Sequence, residues 1–515
     1  MIDRLPRAVL ALTLVFAAVL SQAQTGGFDP ARLTRLIETG MAQWHVPGLA
    51  VMVIEGGELV YQRGFGTTAI ADGKPVDVHT LFANASTTKA MVVAGILMLA
   101  DEGRLSLDDP ASRHLPELHF HPLIENSQIT IRDLLAHRTG LPSTDFWTFS
   151  LQMPLAEQIR RLPLVVPEAA PRTRLIYQNT MYELAGLIIE RVSGKPWERF
   201  LRERLWRPLG MRETYGARAD IPGRKVHVVP HDYLRGELRE LPYDLPAQMA
   251  DAAGSVWSSI HDMTLWAGFL LHGGVNDKGQ RLISEQGMHE MFEPHQLATP
   301  GDFYPTVELT RPHWRTYGLG WFQQDFQGRR IEFHTGSLDG LIAIMGLDRA
   351  ADRAVVVMGN RDHAELRHAI LWEVMDESAP AQRRDWGSEV FDLYQRIDEV
   401  AEANWQTHED ARLADTRPSL PLTAYAGSYS NPVLGTLRVV LTEVTAENRG
   451  DTPQMPQLIL QVGDRNYPLA HWHLDTFQVT YEFWRHGDFA GFMIDTNAEV
   501  SAVEVFGERF ARERP

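Results

Sequence analysis

Ser86 and Lys89 lie three residues apart in the stretch Leu81-Phe82-Ala83-Asn84-Ala85-Ser86-Thr87-Thr88-Lys89-Ala90-Met91-Val92-Val93. The apolar run from Ala90 to Ala100 reads as a buried helix with Asn84 or Ser86 near its start, and helix residues three apart share a face. A serine hydroxyl is a poor nucleophile at neutral pH until a neighbour takes its proton. Lysine can be that neighbour only when burial or nearby cations hold it neutral, well below its ordinary pKa of ~10.4. Lowering it by three pH units costs roughly 4 kcal/mol, which a packed apolar helix can impose. Lysine usage singles this one out: the chain has five lysines among 49 basic residues. Lys74, Lys195, Lys225 and Lys278 sit beside Gly, Pro, Arg or Asp in loop-like stretches. Lys89 alone lies in an apolar helix, where a purely structural cation is costly.

Two further groupings suit such a pair. Tyr177-Gln178-Asn179 precedes a helical segment. A tyrosine hydroxyl near a lysine can pass a proton to a leaving group, and an asparagine amide can bond both lysine and substrate. By itself Tyr-x-Asn serves equally as a helix cap. His334-Thr335-Gly336 closes the strand containing Ile331 and Phe333. There glycine permits close backbone approach and the following N–H, on Ser337, can face an oxyanion; an ordinary strand-to-turn junction reads the same way. Asp339, shortly beyond, is expected at the mouth of a pocket. No Gly-x-Ser-x-Gly elbow and no His-Glu-x-x-His occurs. His119-x-His121 and His471-x-His473 lack carboxylates nearby in sequence and are weak metal candidates.

The surrounding elements must hold these groups together. A helix from Asp29 to about Trp44 leads to a hairpin over Gly48 to Gly66, then the Ser86 helix. The middle is helical, with a long amphipathic segment from Asn179 to Val192 and an apolar helix over Ser259 to Leu271. Strand-like runs follow at 320–326, 330–333, 341–347 and 354–358, then a helix over 364–375. Strands at both ends of a helical middle predict one antiparallel sheet carrying an inserted helical lobe, an α+β fold. Residues 377–420 are charged and partly helical, and read as a linker. From Tyr425 onward, short alternating strands at 437–441, 458–462, 477–483, 489–494 and 500–505 predict a small β-barrel.

Composition narrows the classes. At 515 residues, two or three domains are expected. A net charge of −17 disfavours nucleic acid or anionic lipid as partner. With no cysteine, disulfides, thiolate metal sites and a cysteine nucleophile are excluded. Arg4 and Arg7 precede the apolar run Ala8 to Leu20 and the small-x-small end Ser21-Gln22-Ala23, which reads as a cleaved signal peptide over 1–23. The mature protein is therefore expected in a periplasm or outside the cell, without a stable membrane anchor.

Ser86-x-x-Lys89, Tyr177-x-Asn179 and His334-Thr335-Gly336, in this order, resemble the penicillin-recognising serine hydrolases. The nearest branch is that of class C β-lactamases, D-Ala-D-Ala carboxypeptidases, D-aminopeptidases and related esterases. Supporting stretches include Leu134-Leu135-Ala136-His137-Arg138-Thr139-Gly140-Leu141-Pro142, Pro208-Leu209-Gly210-Met211, Ala253-Gly254-Ser255 and Tyr317-Gly318-Leu319-Gly320-Trp321. The tail, with Tyr425-Ala426-Gly427-Ser428-Tyr429, resembles a lipocalin-like accessory domain. The resemblance implies a hydrolase domain over 24–376 and a barrel domain over 421–515. It makes Ser86 the acylated nucleophile, Lys89 its base, Tyr177 the proton shuttle and Asn179 an orienting group. His334 takes the place of a lysine in class C β-lactamases, and the N–H groups of Ser86 and Ser337 form the oxyanion hole. It implies no metal or organic cofactor and leaves room for an oligomer. Peptide amides are the expected substrates; short acyl esters, slow β-lactam hydrolysis and a non-catalytic penicillin-binding sensor are the alternatives.

Overall fold

The computed structural model describes residues 28–245, 251–442, 456–481 and 486–513, so the expected signal peptide lies outside it. The strands in chain order are β1 (Gly48–Glu55), β2 (Glu58–Gly66), β3 (Leu81–Ala83), β4 (His231–Leu234), β5 (Glu237–Glu240), β6 (Trp257–Ser259), β7 (Gln296–Leu297), β8 (Arg315–Tyr317), β9 (Phe322–Phe326), β10 (Arg329–Leu338), β11 (Leu341–Asp348) and β12 (Arg353–Gly359). Eight of them form one sheet in the order β2-β1-β12-β11-β10-β9-β8-β7, with antiparallel pairings. It is built from both ends of the domain around a helical lobe, as the strand distribution predicts.

The sheet is covered on both faces, which explains why its central strands are apolar without alternation. Along β1, Ala50, Met52 and Ile54 enter one core while Leu49, Val51 and Val53 enter the other. The first core holds the helix Thr88–Asp101, buried from Thr88 through Leu99, together with the helical lobe. The second is closed by the helices Pro30–Gln43 and Leu366–Met375. Residues 377–420, read as a linker, include the 25-residue helix Trp386–Asp410. Trp386, Val390 and Leu393 form a helical stripe buried against that second core.

A second difference concerns β10. It continues to Leu338, so His334, Thr335, Gly336 and Ser337 lie inside the strand, opposite Met345, Ile344, Ala343 and Ile342, and not at its end. Glycine punctuates a strand in sequence, but here it marks a close backbone approach.

The C-terminal strands β13 (Gly427–Asn431), β14 (Gly435–Leu441), β15 (Leu458–Val462), β16 (Arg465–His473), β17 (Thr476–Val479), β18 (Asp488–Ile494), β19 (Val500–Val505) and β20 (Glu508–Arg512) close into a barrel. Five fall in the predicted runs. The other three, β13, β16 and β20, carry Gly, Pro or charged residues that dilute the alternation. Tyr425, Tyr429, Phe477, Phe492 and Phe510 fill its core. Among the described residues no helix is long and apolar enough to cross a membrane.

Candidate active site

Strand β3 pairs with β6 and delivers the chain into a 3-10 turn, Ala85–Thr87, that runs on into the Thr88–Asp101 helix. Ala85 adopts φ 46°, a left-handed conformation uncommon outside glycine. Ser86 is the one residue from Leu81 to Leu99 that is not buried. Strand β10 passes hard against this turn. A Cβ on Gly336 would stand 2.5 Å from the Asn84 carbonyl oxygen and 2.8 Å from the Ser86 nitrogen. Only glycine lets His334, Thr335 and Ser337 run alongside Ser86.

Lys89 is completely buried, and its Nζ lies 2.9 Å from Ser86 Oγ. It donates to Asn179 Oδ1 at 2.7 Å and to the Ala253 carbonyl at 2.8 Å. Burial pulls the amine down to about 7, while the charges of Asp145 and Glu183 work the other way. A neutral amine donates two hydrogens and offers one lone pair. This shell therefore suits two bonds given, to Asn179 and Ala253, and one received from the serine hydroxyl.

Tyr177 lines the cavity beside Ser86, and burial pushes its phenol well above the ordinary value while Ser86 works the other way. Its ring is 5.0 Å from Lys89 Nζ. Asn179 stands at the N-cap of the Thr180–Ser193 helix but makes no capping bond with its side chain. Its oxygen faces Lys89, and its Nδ2 donates to Asp145 Oδ2 at 2.9 Å while its backbone N–H donates to Oδ1 at 2.8 Å. The cap reading of Tyr-x-Asn is thus set aside by where the amide points.

His334 is buried and neutral: burial first, then the Lys89 charge, pull it down to about 3. Its Nδ1 lies 2.5 Å from the Thr335 carbonyl and its Nε2 3.2 Å from the Tyr317 hydroxyl. Thr335 Oγ1 pairs with the Tyr304 hydroxyl at 2.7 Å. Behind the strand, the buried Arg367 donates to the Gly336 carbonyl at 2.5 Å and to Ser337 Oγ at 2.9 Å, while a bidentate pair with Glu365 holds it.

These groups border a cavity of about 400 Å³ lined by Ser86, Tyr177, Asn179, His334, Thr335 and Ser337. The apolar wall comes from Phe149, Phe303, Tyr304 and Phe322. Lys89 lies behind Ser86, and Gly336 presses against the Ser86 turn. Eight of the nine residues singled out for this pocket in the sequence therefore converge. Asp339 does not line the cavity; it sits in the β10–β11 turn, where its charge acts on Tyr467 of the barrel.

Several supporting groups escaped the sequence reading. Asp145 holds Asn179, and Glu183 accepts the N–H groups of Asp251 and Ala252 at 3.1 Å and of Ala253 at 3.4 Å. Glu183 thereby fixes the carbonyl that receives Lys89. Burial, then Asp251, push Glu183 up to about 8. It lies one helical turn from Asn179, a spacing that offered a signal; Asp145 offered none. Among the described residues His79, Glu213 and His261 are the one group of three placed closely enough for a metal, and Lys225 donates to Glu213 at 2.6 Å. The weak candidates His119–His121 and His471–His473 join no such group.

The beta-lactamase family profile matches residues 33–379, and a profile for a domain of unknown function, DUF3471, matches residues 411–513. An unguisins hydrolase from Aspergillus campestris is 27% identical over 448 residues, covering 82% of this chain and 80% of that protein. In structure, the octameric penicillin-binding protein homologue from Pyrococcus abyssi superposes with a TM-score of 0.61 at 21% identity, over 94% of this chain and 99% of that one. The D-amino acid amidase from Ochrobactrum anthropi does so with a TM-score of 0.54 at 22% identity, over 73% and 99%. These two likenesses speak to fold, whereas the profile spans well over half the sequence and includes all three motifs, so the chain belongs to the beta-lactamase family.

Proposed function

We propose that the chain is an exported serine hydrolase that cleaves amide bonds beside apolar or aromatic groups through an acyl-enzyme on Ser86. The observation that carries this reading is the completely buried Lys89 amine 2.9 Å from a partly exposed serine hydroxyl. Lys89 takes the Ser86 proton as Oγ bonds to the acyl carbon. The carbonyl oxygen, now negative, is held by the N–H groups of Ser86 and Ser337. Tyr177 relays the proton to the leaving nitrogen, the carbon–nitrogen bond breaks, and an amine departs. Water then attacks the ester, giving its proton back along the same path, and the acid and free Ser86 are restored.

The aromatic wall supports an apolar acyl or side-chain group. Asn179 keeps a second amide hydrogen beyond the one given to Asp145, which can meet a substrate carbonyl. The name of a D-amino acid amidase among the similar structures favours amide over ester cleavage, and that of an unguisins hydrolase supports hydrolysis alone. Export to a periplasm or medium rests on the leader-like residues 1–23.

The test is labelling with a fluorophosphonate and mapping by mass spectrometry, followed by hydrolysis of D- and L-phenylalanine amides against p-nitrophenyl butyrate. Adduct on Ser86, and amide turnover that Ser86→Ala abolishes, are expected. An unlabelled Ser86 overturns the reading. Ester turnover without amide turnover moves it to a carboxylesterase, and labelling without turnover of either to a sensor.

A further inference from the structure

The barrel's own core is filled with side chains, yet one edge of it grips the segments that hold the catalytic groups. The Phe506 ring packs on Phe146 at 5.0 Å, and both Phe146 and Leu151 pack against the barrel core. Gly463, with φ 56° in the β15–β16 turn, abuts Leu151: a Cβ there would stand 3.0 Å from the Leu151 carbonyl oxygen. Arg161 donates to the Pro432 and Val433 carbonyls at 3.0 and 3.3 Å, and Val433 and Leu434 reach the core of the helical lobe. The gripped helix is Asp145–Phe149. Its first residue makes both bonds to Asn179, and its last lines the cavity. On the opposite side Arg465 donates to the Asp244 carbonyl, and Tyr467 stands near Asp339 of the β10–β11 turn. The barrel thus spans from the lobe side of the site to its sheet side.

Resting on the acyl-enzyme reading above, we infer that the C-terminal barrel is an intramolecular clamp that positions Asp145, and through it Asn179 and the Lys89 amine. Asp145–Phe149 is barely more than one helical turn, too short to hold its shape alone. Phe146 faces the barrel, Trp147 and Phe149 face the lobe core, and Leu151, just beyond the helix, packs on both. Without the barrel Phe146 loses its cover, the helix is held from the lobe side alone, the bonds between Asp145 and Asn179 loosen, and water gains a route to Lys89. Phe146, Phe506 and Gly463 are positioning residues on this account and touch no substrate.

The test uses the full chain carrying Phe506→Asp with Gly463→Leu, which sets a charge against Phe146 and a side chain against Leu151. Fluorophosphonate labelling of Ser86 is expected to slow by about tenfold or more, in keeping with the effect of small misplacements at a reacting centre. The pH midpoint of labelling is expected to rise, because a hydrated amine moves back toward its ordinary value. Phe506→Leu should restore both. Trp405→Ala loosens the barrel where it stacks on Phe489 at 5.6 Å, away from the site, and is expected to lower Tm without moving the midpoint. Unchanged rate and midpoint in the double variant, or an equal midpoint shift in Trp405→Ala, overturns the clamp. A wild-type chain that does not label at Ser86 overturns instead the hydrolase reading on which it rests.

Discussion

Two cations are buried on either side of strand β10, and they meet opposite fates. Arg367 is gripped by both oxygens of Glu365, and the pairing holds its charge in place at full burial. Lys89 has only neutral oxygens in its immediate shell, and the carboxylates of Asp145 and Glu183 act on it from behind Asn179 and the 251–253 loop. Burial therefore dominates and the amine is left ready to lose its proton. Burial alone decides neither state; the partner in direct contact does. The first cation builds the strand that carries Gly336 and Ser337, and the second is the base of the proposed reaction.

Replacing each cation should separate these roles. Lys89→Met keeps the volume and removes the base, so kcat is expected to fall by about a thousandfold or more, read by amide turnover. Its Tm is expected to hold or rise, since the desolvated amine is gone. A loss of Tm would place Lys89 among the structural ions with Arg367. The reverse signature is expected for Glu365→Gln. It leaves Arg367 buried and unpaired, lowering stability by about 3–5 kcal/mol in urea unfolding. Gly336→Ala probes the strand that Arg367 holds. Its Cβ would collide with the Asn84 carbonyl, and kcat/KM is expected to fall about a hundredfold with a smaller change in Tm.

Proton linkage gives the smallest and most specific difference. Because Lys89 must be neutral, kcat/KM is expected to climb as pH rises through about 7 and then level. His334, down near 3, stays neutral throughout that range and adds no step of its own. The folded value of Lys89 lies below its unfolded one, so the unfolded chain binds the extra proton between about 7 and 10.5. Its contribution to stability is therefore least at and below pH 7 and grows as pH rises above it. Glu183, held up to about 8, opposes this slope below that pH, so the Lys89 part is read as the difference between wild type and Lys89→Met in urea unfolding at pH 7 and pH 9. Arg367 and its partner do not titrate in that window and add nothing to the slope.

The ease with which each cation can be read from sequence follows the same division. Lys89 stands out because it interrupts a helix with no other charge until Asp101, in a chain that otherwise uses arginine. Arg367 is one arginine among many, in a short helix of mixed composition that is buried along its whole length. The sheet's central strands are legible because both faces are apolar, whereas β13, β16 and β20 are masked by Gly, Pro and charged residues. Helix within 377–420 was legible, but its docking was hidden by its charged face, with the buried stripe of Trp386, Val390 and Leu393 too narrow to dominate composition.

Residue order by itself determined the fold class and singled out Ser86, its neighbouring amine and the two accompanying motifs, because each depends on local chemistry or short-range periodicity. Whether Asn179 capped a helix or faced the amine, that Asp145 and Glu183 stand behind it, and that the barrel leans on Asp145–Phe149 were decided only by tertiary packing. Those contacts join residues from 34 to more than 300 positions apart. Side chains so distant leave no periodic trace in the chain, and their partners are set by how whole layers come to rest against one another.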